Sequence, residues 1–143
     1  MPDRNDDLVG IPNGTRLFRR INPEMIVFDR NRKEQRPTSQ NFQNSRDGTP
    51  MSVFAENVAV AHGETAIDFL KGMWSEWYLA AVPVEWMRQN NQIVYLDPEN
   101  QDPEDWHPSH TAVAGLKDEK TRKKLTEKYE WVIPPSTSHD GAD

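Results

Sequence analysis

The chain has 143 residues, no cysteine and a formal net charge of −6 at neutral pH. The lack of cysteine excludes disulfides, thiolate metal sites and cysteine nucleophiles, and no apolar run approaches the roughly 18 to 20 residues of a membrane span. The N-terminal stretch is acidic and lacks the basic and apolar regions of a signal peptide. We therefore expect a cytoplasmic protein with no membrane partner, and the negative charge argues against binding to duplex nucleic acid.

A chain of this length fits one domain of ordinary size. Polar stretches without a hydrophobic period lie at both ends, and we expect flexible tails at 1–13 and 134–143 around a domain at 14–133. Charge is unevenly placed inside this domain. Basic residues dominate 16–36 and acidic residues dominate 97–105, which is typical of two solvated loops of opposite sign.

Short apolar runs between turn signals predict the strands. In the first strand Leu17, Arg19 and Ile21 fall on one face, whereas Arg20 falls on the other. Only one of the two arginines can therefore share a sheet face with the candidate site residues Ser52 and His110. We favour Arg19 as the inward one, because an unpaired buried guanidinium is costly and implies a partner. The predicted strands are 15–21, 25–28, 51–54, 78–82, 93–96, 111–114 and 131–133.

Helical periodicity predicts main helices at 64–76 and 118–129. Thr65 and Asp68 match the capping-box pattern at the start of the first, whose apolar face, with Trp74 and Trp77, should dock on the sheet. Asp118 is the expected cap of the second, and Pro83 begins a short helix over 83–90. The strand–helix–strand unit at 78–96 has the form of a small crossover, so its two strands are expected to be parallel. The predicted fold class is α+β: a single domain with a mixed sheet of five to six strands, two main helices and one short helix.

The stretch 92–115 is the most distinctive part of the sequence, because two apolar strands flank an acidic loop that contains two histidines. His107, His110 and Asp105 are side chains that a zinc, iron or manganese ion would use. However, they lie on a loop interrupted by prolines, and the sequence contains no HExxH or EF-hand motif. We therefore predict no metal and no cofactor.

Phosphate recognition is the other chemistry that these residues permit. The sequence has no Walker A loop, GxGxxG or GxSxG motif. Arginines and hydroxyls in the first half of the chain can still bind a nucleotide or an RNA end, and His110 can act as general acid or base. Alternatively, Ser39 caps a short helical turn and Ser52 only fills a strand position. The candidate ligand-binding residues are Arg19, Arg20, Arg36, Ser39 and Ser52.

The order of several short motifs resembles an uncharacterised family of small bacterial proteins. The motifs are LFRRI followed by Pro23, RPTSQ followed by Phe42, an SV strand at Ser52, Asp97-Pro98, and PSHTA at 108–112. The resemblance covers about 16–133 and implies a compact bacterial domain, with no activity to transfer. An arginine on a first strand followed by a hydroxyl-rich strand is also similar to ADP-ribosyltransferase-like folds, although their catalytic glutamate has no counterpart here.

Two functions follow from these patterns. Five tryptophans are too many for the core of so small a domain, and aromatic side chains near a surface are enriched at interfaces, so we expect a binding or accessory protein with a protein partner. The alternative is an enzyme that acts on a nucleotide, an NAD-like molecule or an RNA phosphate. That alternative requires Arg19 or Arg20, Ser39, Ser52 and His110 to converge on one pocket.

Overall fold

A computed structural model describes residues 6–135 of the chain. Eight strands and three α-helices alternate with short 3₁₀ turns. Their bounds are β1 (Arg16–Ile21), β2 (Ile26–Asp29), β3 (Glu34–Pro37), β4 (Met51–Ala55), α1 (Glu56–Ala61), β5 (Tyr78–Pro83), α2 (Val84–Gln89), β6 (Ile93–Leu96), β7 (His110–Ala114), α3 (Glu119–Lys128) and β8 (Glu130–Ile133).

Six strands form the main sheet in the order β6-β7-β4-β1-β5-β8, and β2 pairs with β3 in a separate hairpin. This single α+β domain confirms the predicted fold class. Every strand pair within residues 6–135 is antiparallel. β5 and β6 run in the same direction, as expected of the unit at 78–96, although β1, β4 and β7 lie between them. The predicted mixed sheet is instead antiparallel in every pair of neighbouring strands that the structure describes.

Each face of the main sheet carries its own apolar cluster. Leu17 and Ile21 of β1 belong to the larger cluster, which also contains Leu125 of α3. Phe18 alternates to the other face and joins Phe54 and Phe69. The two faces therefore have different coverings: α3 covers the first, and the segment between α1 and β5 covers the second.

The segment 64–76 contains two 3₁₀ turns, Ala66–Phe69 and Gly72–Trp74, so the predicted helix was wrong. A capping box between Thr65 and Asp68 begins the first turn, as the sequence indicates. Gly72 then adopts a φ of 61°, a left-handed conformation that interrupts helical geometry. The apolar spacing therefore serves to direct Phe69 and Leu70 into the second cluster rather than to build a long helix.

The last helix agrees with its prediction in position and in cap. The Asp118 carboxylate accepts a hydrogen bond of 2.8 Å from the Thr121 amide, which satisfies a free N–H of the first turn. The short helix α2 also lies within its predicted range. The sequence patterns did not indicate α1 or β3, since both are short and neither shows a clear period.

Residues 6–13 pack against the domain, so this part of the predicted N-terminal tail was wrong. Ile11 is fully buried, and the Asp7 amide donates to the Val94 carbonyl at 2.9 Å. The Asp6 carboxylate accepts from Arg88 Nε at 2.8 Å. Residues 1–5, and 136–143 of the predicted C-terminal tail, lie outside the described residues. Within 6–135, no helix has the length and apolar character needed to cross a membrane.

Candidate functional site

A cavity of about 350 Å³ opens on the sheet face that carries Phe18 and Phe54. Strands β1, β4 and β7 form its floor, and the loop between β6 and β7 forms one wall. The 3₁₀ segment before β5 supplies an aromatic wall that meets this loop where Trp74 contacts Asp105. Its lining residues are Arg19, Arg20, Ser52, Phe54, Trp74, Trp77, Asn100, Gln101, Asp102, Asp105 and His110.

Strand pairing determines which floor residues meet. Phe54 is paired with Phe18 on one side and with His110 on the other, so all three project from the same face. Arg20 lies two residues beyond Phe18, and Ser52 lies two residues before Phe54, which places both on that face as well. Arg20, Ser52 and His110 come together although they are distant in sequence.

The expectation that only one of the two arginines reaches this face was wrong. The backbone of Arg19 follows the alternation and belongs with Leu17 and Ile21, yet Arg19 also lines the cavity. The pairing of β1 with β4 ends at Phe18 and Phe54, and Arg19 Nη1 donates to the Ser52 carbonyl at 2.8 Å. The long guanidinium side chain thus bridges the two strands where their pairing has ended.

Arg20 is engaged by protein groups on all three of its guanidinium nitrogens. Nε donates to the Phe69 carbonyl at 2.6 Å, and the two terminal nitrogens donate to Asp105 at 2.7 and 2.8 Å. Its guanidinium also lies 4.3 Å from the centre of the Trp74 ring. Arg20 therefore holds the walls together, and its charge is already neutralised by Asp105.

Asp105 connects the cavity to a buried polar network. Besides Arg20, its carboxylate approaches His107 Nε2 at 3.3 Å, and His107 Nδ1 lies 2.6 Å from Glu64. Ser109 is fully buried and donates its hydroxyl to Glu64 at 3.1 Å. His107 and Asp105 are thus joined by hydrogen bonds to protein groups, and no cluster of three metal-ligating side chains occurs within 6–135.

His110 presents an open imidazole nitrogen. Its Nδ1 lies 2.8 Å from the Asp97 carbonyl, and since a carbonyl only accepts, Nδ1 carries the proton. Burial lowers the pKa of His110, and the ring is therefore neutral near pH 7. Nε2 then has a free lone pair, with no hydrogen-bond partner among residues 6–135. This is the tautomer that a hydrogen-bond acceptor or general base requires.

Arg19 is a partly buried cation without a counter-ion. Nε donates to the Asn41 carbonyl at 2.9 Å and Nη1 to Ser52, so both contacts are to neutral oxygens. No carboxylate of the described chain forms an ion pair with it. Burial, aided by the nearby charge of Arg20, lowers the pKa of Arg19 to about 10. A guanidinium in this condition would be stabilised by an anion.

Aromatic rings form the apolar part of the cavity. Phe54 stacks on Phe69 with ring centres 4.4 Å apart, and Trp74 meets Trp77 edge to face at 4.7 Å. The indole N–H of Trp74 donates to Asp105 at 3.2 Å, whereas that of Trp77 has no partner within 6–135. Aromatic side chains of this kind offer a flat surface to a planar ligand.

Two predicted ligand-binding residues do not line the cavity. Arg36 lies on β3, where it pairs with Asp29 at 3.2 Å and donates to the Pro37 carbonyl. Ser39 begins a 3₁₀ turn, Ser39–Asn41, as the alternative of a short turn anticipated, although no side-chain cap forms there. Asn41 of that turn contributes to the cavity indirectly, because its backbone carbonyl accepts a hydrogen bond from Arg19 Nε.

Several cavity residues were missed from the sequence. Trp74 and Trp77 were assigned to the buried face of a helix, and Asn100 and Gln101 were treated only as part of an acidic loop. Asp102 was considered only among the carboxylates near the two histidines. For the three loop residues, closeness in sequence to the two histidines was the available indication of a site. The Arg20–Asp105 contact, between residues 85 positions apart, brings this loop to the cavity.

Searches of protein-family models, curated proteins and solved structures gave no match to this chain. The geometry of the cavity therefore carries the functional argument.

Proposed function

We propose that the cavity binds a small ligand that carries an anionic group and a planar ring, with a mononucleotide as the representative class. The observation that carries this proposal is Arg19, a cation that lines the cavity, donates only to neutral carbonyls among residues 6–135 and has a lowered pKa. An anionic oxygen that reaches its terminal nitrogens would form charge-assisted hydrogen bonds and offset the cost of burying the charge.

The other lining groups divide into those already bonded and those with spare capacity. Gln101 is fully used, because its amide donates to the Pro98 and His107 carbonyls and accepts from the His107 amide. Spare hydrogen-bonding capacity remains on the Ser52 hydroxyl, the Trp77 indole N–H and His110 Nε2. It also remains on Asn100 and on the Asp102 carboxylate, of which one oxygen accepts from the Glu104 amide. Donors and acceptors next to an aromatic wall suit a polar, planar molecule.

The size of the cavity supports a ligand of this class. Small-molecule sites in proteins have volumes of about 300 to 1,000 Å³, and this cavity, at about 350 Å³, is at the small end. It fits a mononucleotide better than a dinucleotide. Nε2 of His110 accepts a hydrogen bond from such a ligand, and it is also the group that would remove a proton if the ligand were a substrate.

A thermal-shift measurement with three probes tests the proposal. Adenosine 5′-monophosphate carries both the ring and the anion, ribose 5-phosphate lacks the ring, and adenosine lacks the anion. We expect the complete nucleotide to raise the melting temperature most, since a ligand at 100 times its Kd stabilises a fold by about 2.7 kcal/mol. Arg19→Gln should remove this shift, while Lys71→Gln, an exposed lysine that pairs with Asp68, should keep it.

Two results would contradict the proposal. The first is no shift with any of the three probes, or with inorganic phosphate and benzoate as simpler anions. The second is an equal shift in the wild-type protein and in a folded Arg19→Gln variant. Arg19→Lys serves as a second variant if Arg19→Gln fails to fold, because it keeps the charge and loses the forked geometry.

A protein partner remains our second proposal, and exposed apolar side chains next to the cavity residues support it. Met73 is 78% exposed and precedes Trp74, and Trp106 is 54% exposed and follows Asp105. Large apolar side chains rimmed by polar residues are common at protein interfaces. The test is affinity capture with the wild-type protein and with Met73→Ser/Trp106→Ser. A partner retained equally by both proteins would contradict this location.

A further inference from the structure

We propose that the protein also binds single-stranded nucleic acid, on the side of the sheet opposite to the cavity. The binding region, here named the basic surface, combines the turn between β2 and β3 with the outer side of α3. Its cations are Arg30, Arg32, Lys33, Lys120, Lys123, Lys124 and Lys128, all of them exposed.

Contacts of Tyr129 and Trp131 with the hairpin bring the two segments of the basic surface together. The guanidinium of Arg32 lies over the Tyr129 ring at 4.4 Å, and the Tyr129 hydroxyl donates to Glu34 at 2.9 Å. Tyr129 directly follows α3, and Trp131 donates its indole N–H to the Gln35 carbonyl. The hairpin therefore lies against the C-terminal end of α3, where Lys128 is placed.

The periodicity of α3 aligns its lysines. Leu125 and Tyr129 belong to the larger apolar cluster, which fixes the inner side of the helix. Lys120, Lys124 and Lys128 recur every four residues, so they form one row along about two turns, with Lys123 beside it. A row of exposed cations on a helix suits a chain of phosphates.

Most of these cations have no carboxylate partner in the described chain. Arg32 approaches Glu34 at 3.9 Å and Lys124 approaches Glu127 at 3.7 Å, both at exposed positions where ion pairs contribute little. The other five form no ion pair within residues 6–135. The nearby Asp29 carboxylate is taken by Arg36. Glu119 and Glu127 lie beside the lysines of α3, but the seven cations outnumber these two carboxylates. Positive charge is thus left available in a chain whose net charge is −6.

An exposed aromatic ring favours a single strand over other acidic partners. Phe28 of β2 is 58% exposed and lies two residues before Arg30. An unstacked base can pack on such a ring, whereas paired bases in a duplex and the side chains of an acidic peptide cannot use it in this way. Cations that follow the backbone, together with an aromatic ring for the bases, are the usual elements of single-strand binding.

The basic surface is independent of the cavity. Tyr129 and Leu125 belong to the cluster of Leu17 and Ile21, whereas the cavity opens on the face of Phe18 and Phe54. Substitutions on the basic surface should therefore leave nucleotide binding in the cavity unchanged.

Fluorescence anisotropy with a labelled 12-nucleotide oligouridine tests the inference on the full chain. We expect binding at 50 mM salt that weakens as salt is raised, with a slope of roughly −0.7 for each phosphate contacted. Lys128→Glu should weaken binding about fivefold through lost phosphate contact, and Phe28→Ser about tenfold through lost stacking. Lys71→Glu makes the same charge change away from the basic surface and should have little effect.

Three outcomes would overturn the inference. One is no binding at 50 mM salt. Another is an equal loss of affinity in Lys128→Glu and Lys71→Glu, which would show attraction to overall charge rather than to this surface. The third is displacement of the oligonucleotide by poly-glutamate at equal charge concentration with no effect of Phe28→Ser, which would assign the surface to an acidic protein. Circular dichroism of each variant verifies that it is folded.

Discussion

The guanidinium of Arg20 and the carboxylate of Asp105 form a bidentate pair, with hydrogen bonds of 2.7 and 2.8 Å between residues 85 positions apart. This pair ties the central strand β1 to the loop that precedes β7. The Trp74 indole donates to the same carboxylate at 3.2 Å, so the aromatic wall is anchored at the same point. The shape of the cavity depends on this one carboxylate.

Replacing Asp105 by Asn should therefore destabilise the protein and loosen the cavity. A buried guanidinium would lose its counter-ion, and hydrogen bonds to charged groups are worth about 1.5 to 3 kcal/mol each. We expect the free energy of unfolding in urea to fall by about 2 kcal/mol. The control is Asp102→Asn, since Asp102 is exposed and its carboxylate accepts, among residues 6–135, only from the Glu104 amide. Equal effects of the two substitutions would contradict the assigned role of Asp105.

The Arg20–Asp105 pair also leads us to expect that the free energy of unfolding depends on pH in the acid range. Burial acts to raise the pKa of Asp105, but the hydrogen bonds and charge of Arg20, with a contribution from His107, outweigh it and lower the pKa. The stabilisation is therefore complete above the unfolded value of about 3.9 and is lost as pH falls through the lower folded value. The difference in unfolding free energy between wild type and Asp105→Asn should shrink between pH 5 and pH 2. A constant difference would contradict the pairing.

Asn41 should be among the most sensitive polar residues of the fold. Its amide donates to the Met25 and Thr38 carbonyls at 2.8 and 3.1 Å, and its Oδ1 accepts from the Asn22 amide. Three hydrogen bonds of about 1 kcal/mol each lead us to expect that Asn41→Ala lowers the unfolding free energy by roughly 2 to 3 kcal/mol. Asn57→Ala, which removes one exposed bond to Gly10, should lower it by under about 1 kcal/mol.

The buried charge of Lys117 leads us to expect that the protein becomes more stable as pH rises above neutral. Its ammonium is buried and donates to Asn44 and to the Val113 and Gly115 carbonyls, with no carboxylate within 6–135. Burial, with the charge of Arg19, lowers the pKa of Lys117 to about 8. Since the unfolded value is about 10.4, the folded protein loses this proton first and becomes more stable as pH rises through 8.

The measurement for Lys117 is urea unfolding at pH 7, 8 and 9.5 for the wild type and Lys117→Met. The wild type should gain stability relative to the variant over this range. The variant loses three hydrogen bonds and therefore differs in absolute stability, so only the change with pH is compared. Parallel curves would show that the charge of Lys117 is not disfavoured in the fold.

The strands were largely predictable from the sequence because their apolar runs are short and well bounded. Ile93–Leu96 was predicted with the bounds that the structure gives, and the Asp118 cap was also correct. The helix at 64–76 failed because apolar spacing describes burial and does not show how Gly72 directs the backbone. Strand order could not be derived, since antiparallel neighbours are chosen by packing across the whole sheet.

Only part of the candidate site could be predicted from the sequence. Alternation correctly separated Arg19 from Arg20, but it could not show that strand pairing ends at Phe18 and Phe54 and that a long side chain then bridges the strands. Nor could it show that Asp105 neutralises Arg20 and leaves Arg19 as the cation without a counter-ion. Both facts depend on contacts between distant segments, which a single sequence does not record.

The most direct test of the central claim compares the affinities of adenosine 5′-monophosphate and adenosine for the wild type and Arg19→Gln, by calorimetry or tryptophan quenching. If Arg19 binds the phosphate, the wild type should prefer the nucleotide by about ten- to a hundredfold. That ratio should fall to near one in Arg19→Gln and be partly kept in Arg19→Lys. A preference that survives unchanged in a folded Arg19→Gln protein would contradict the account.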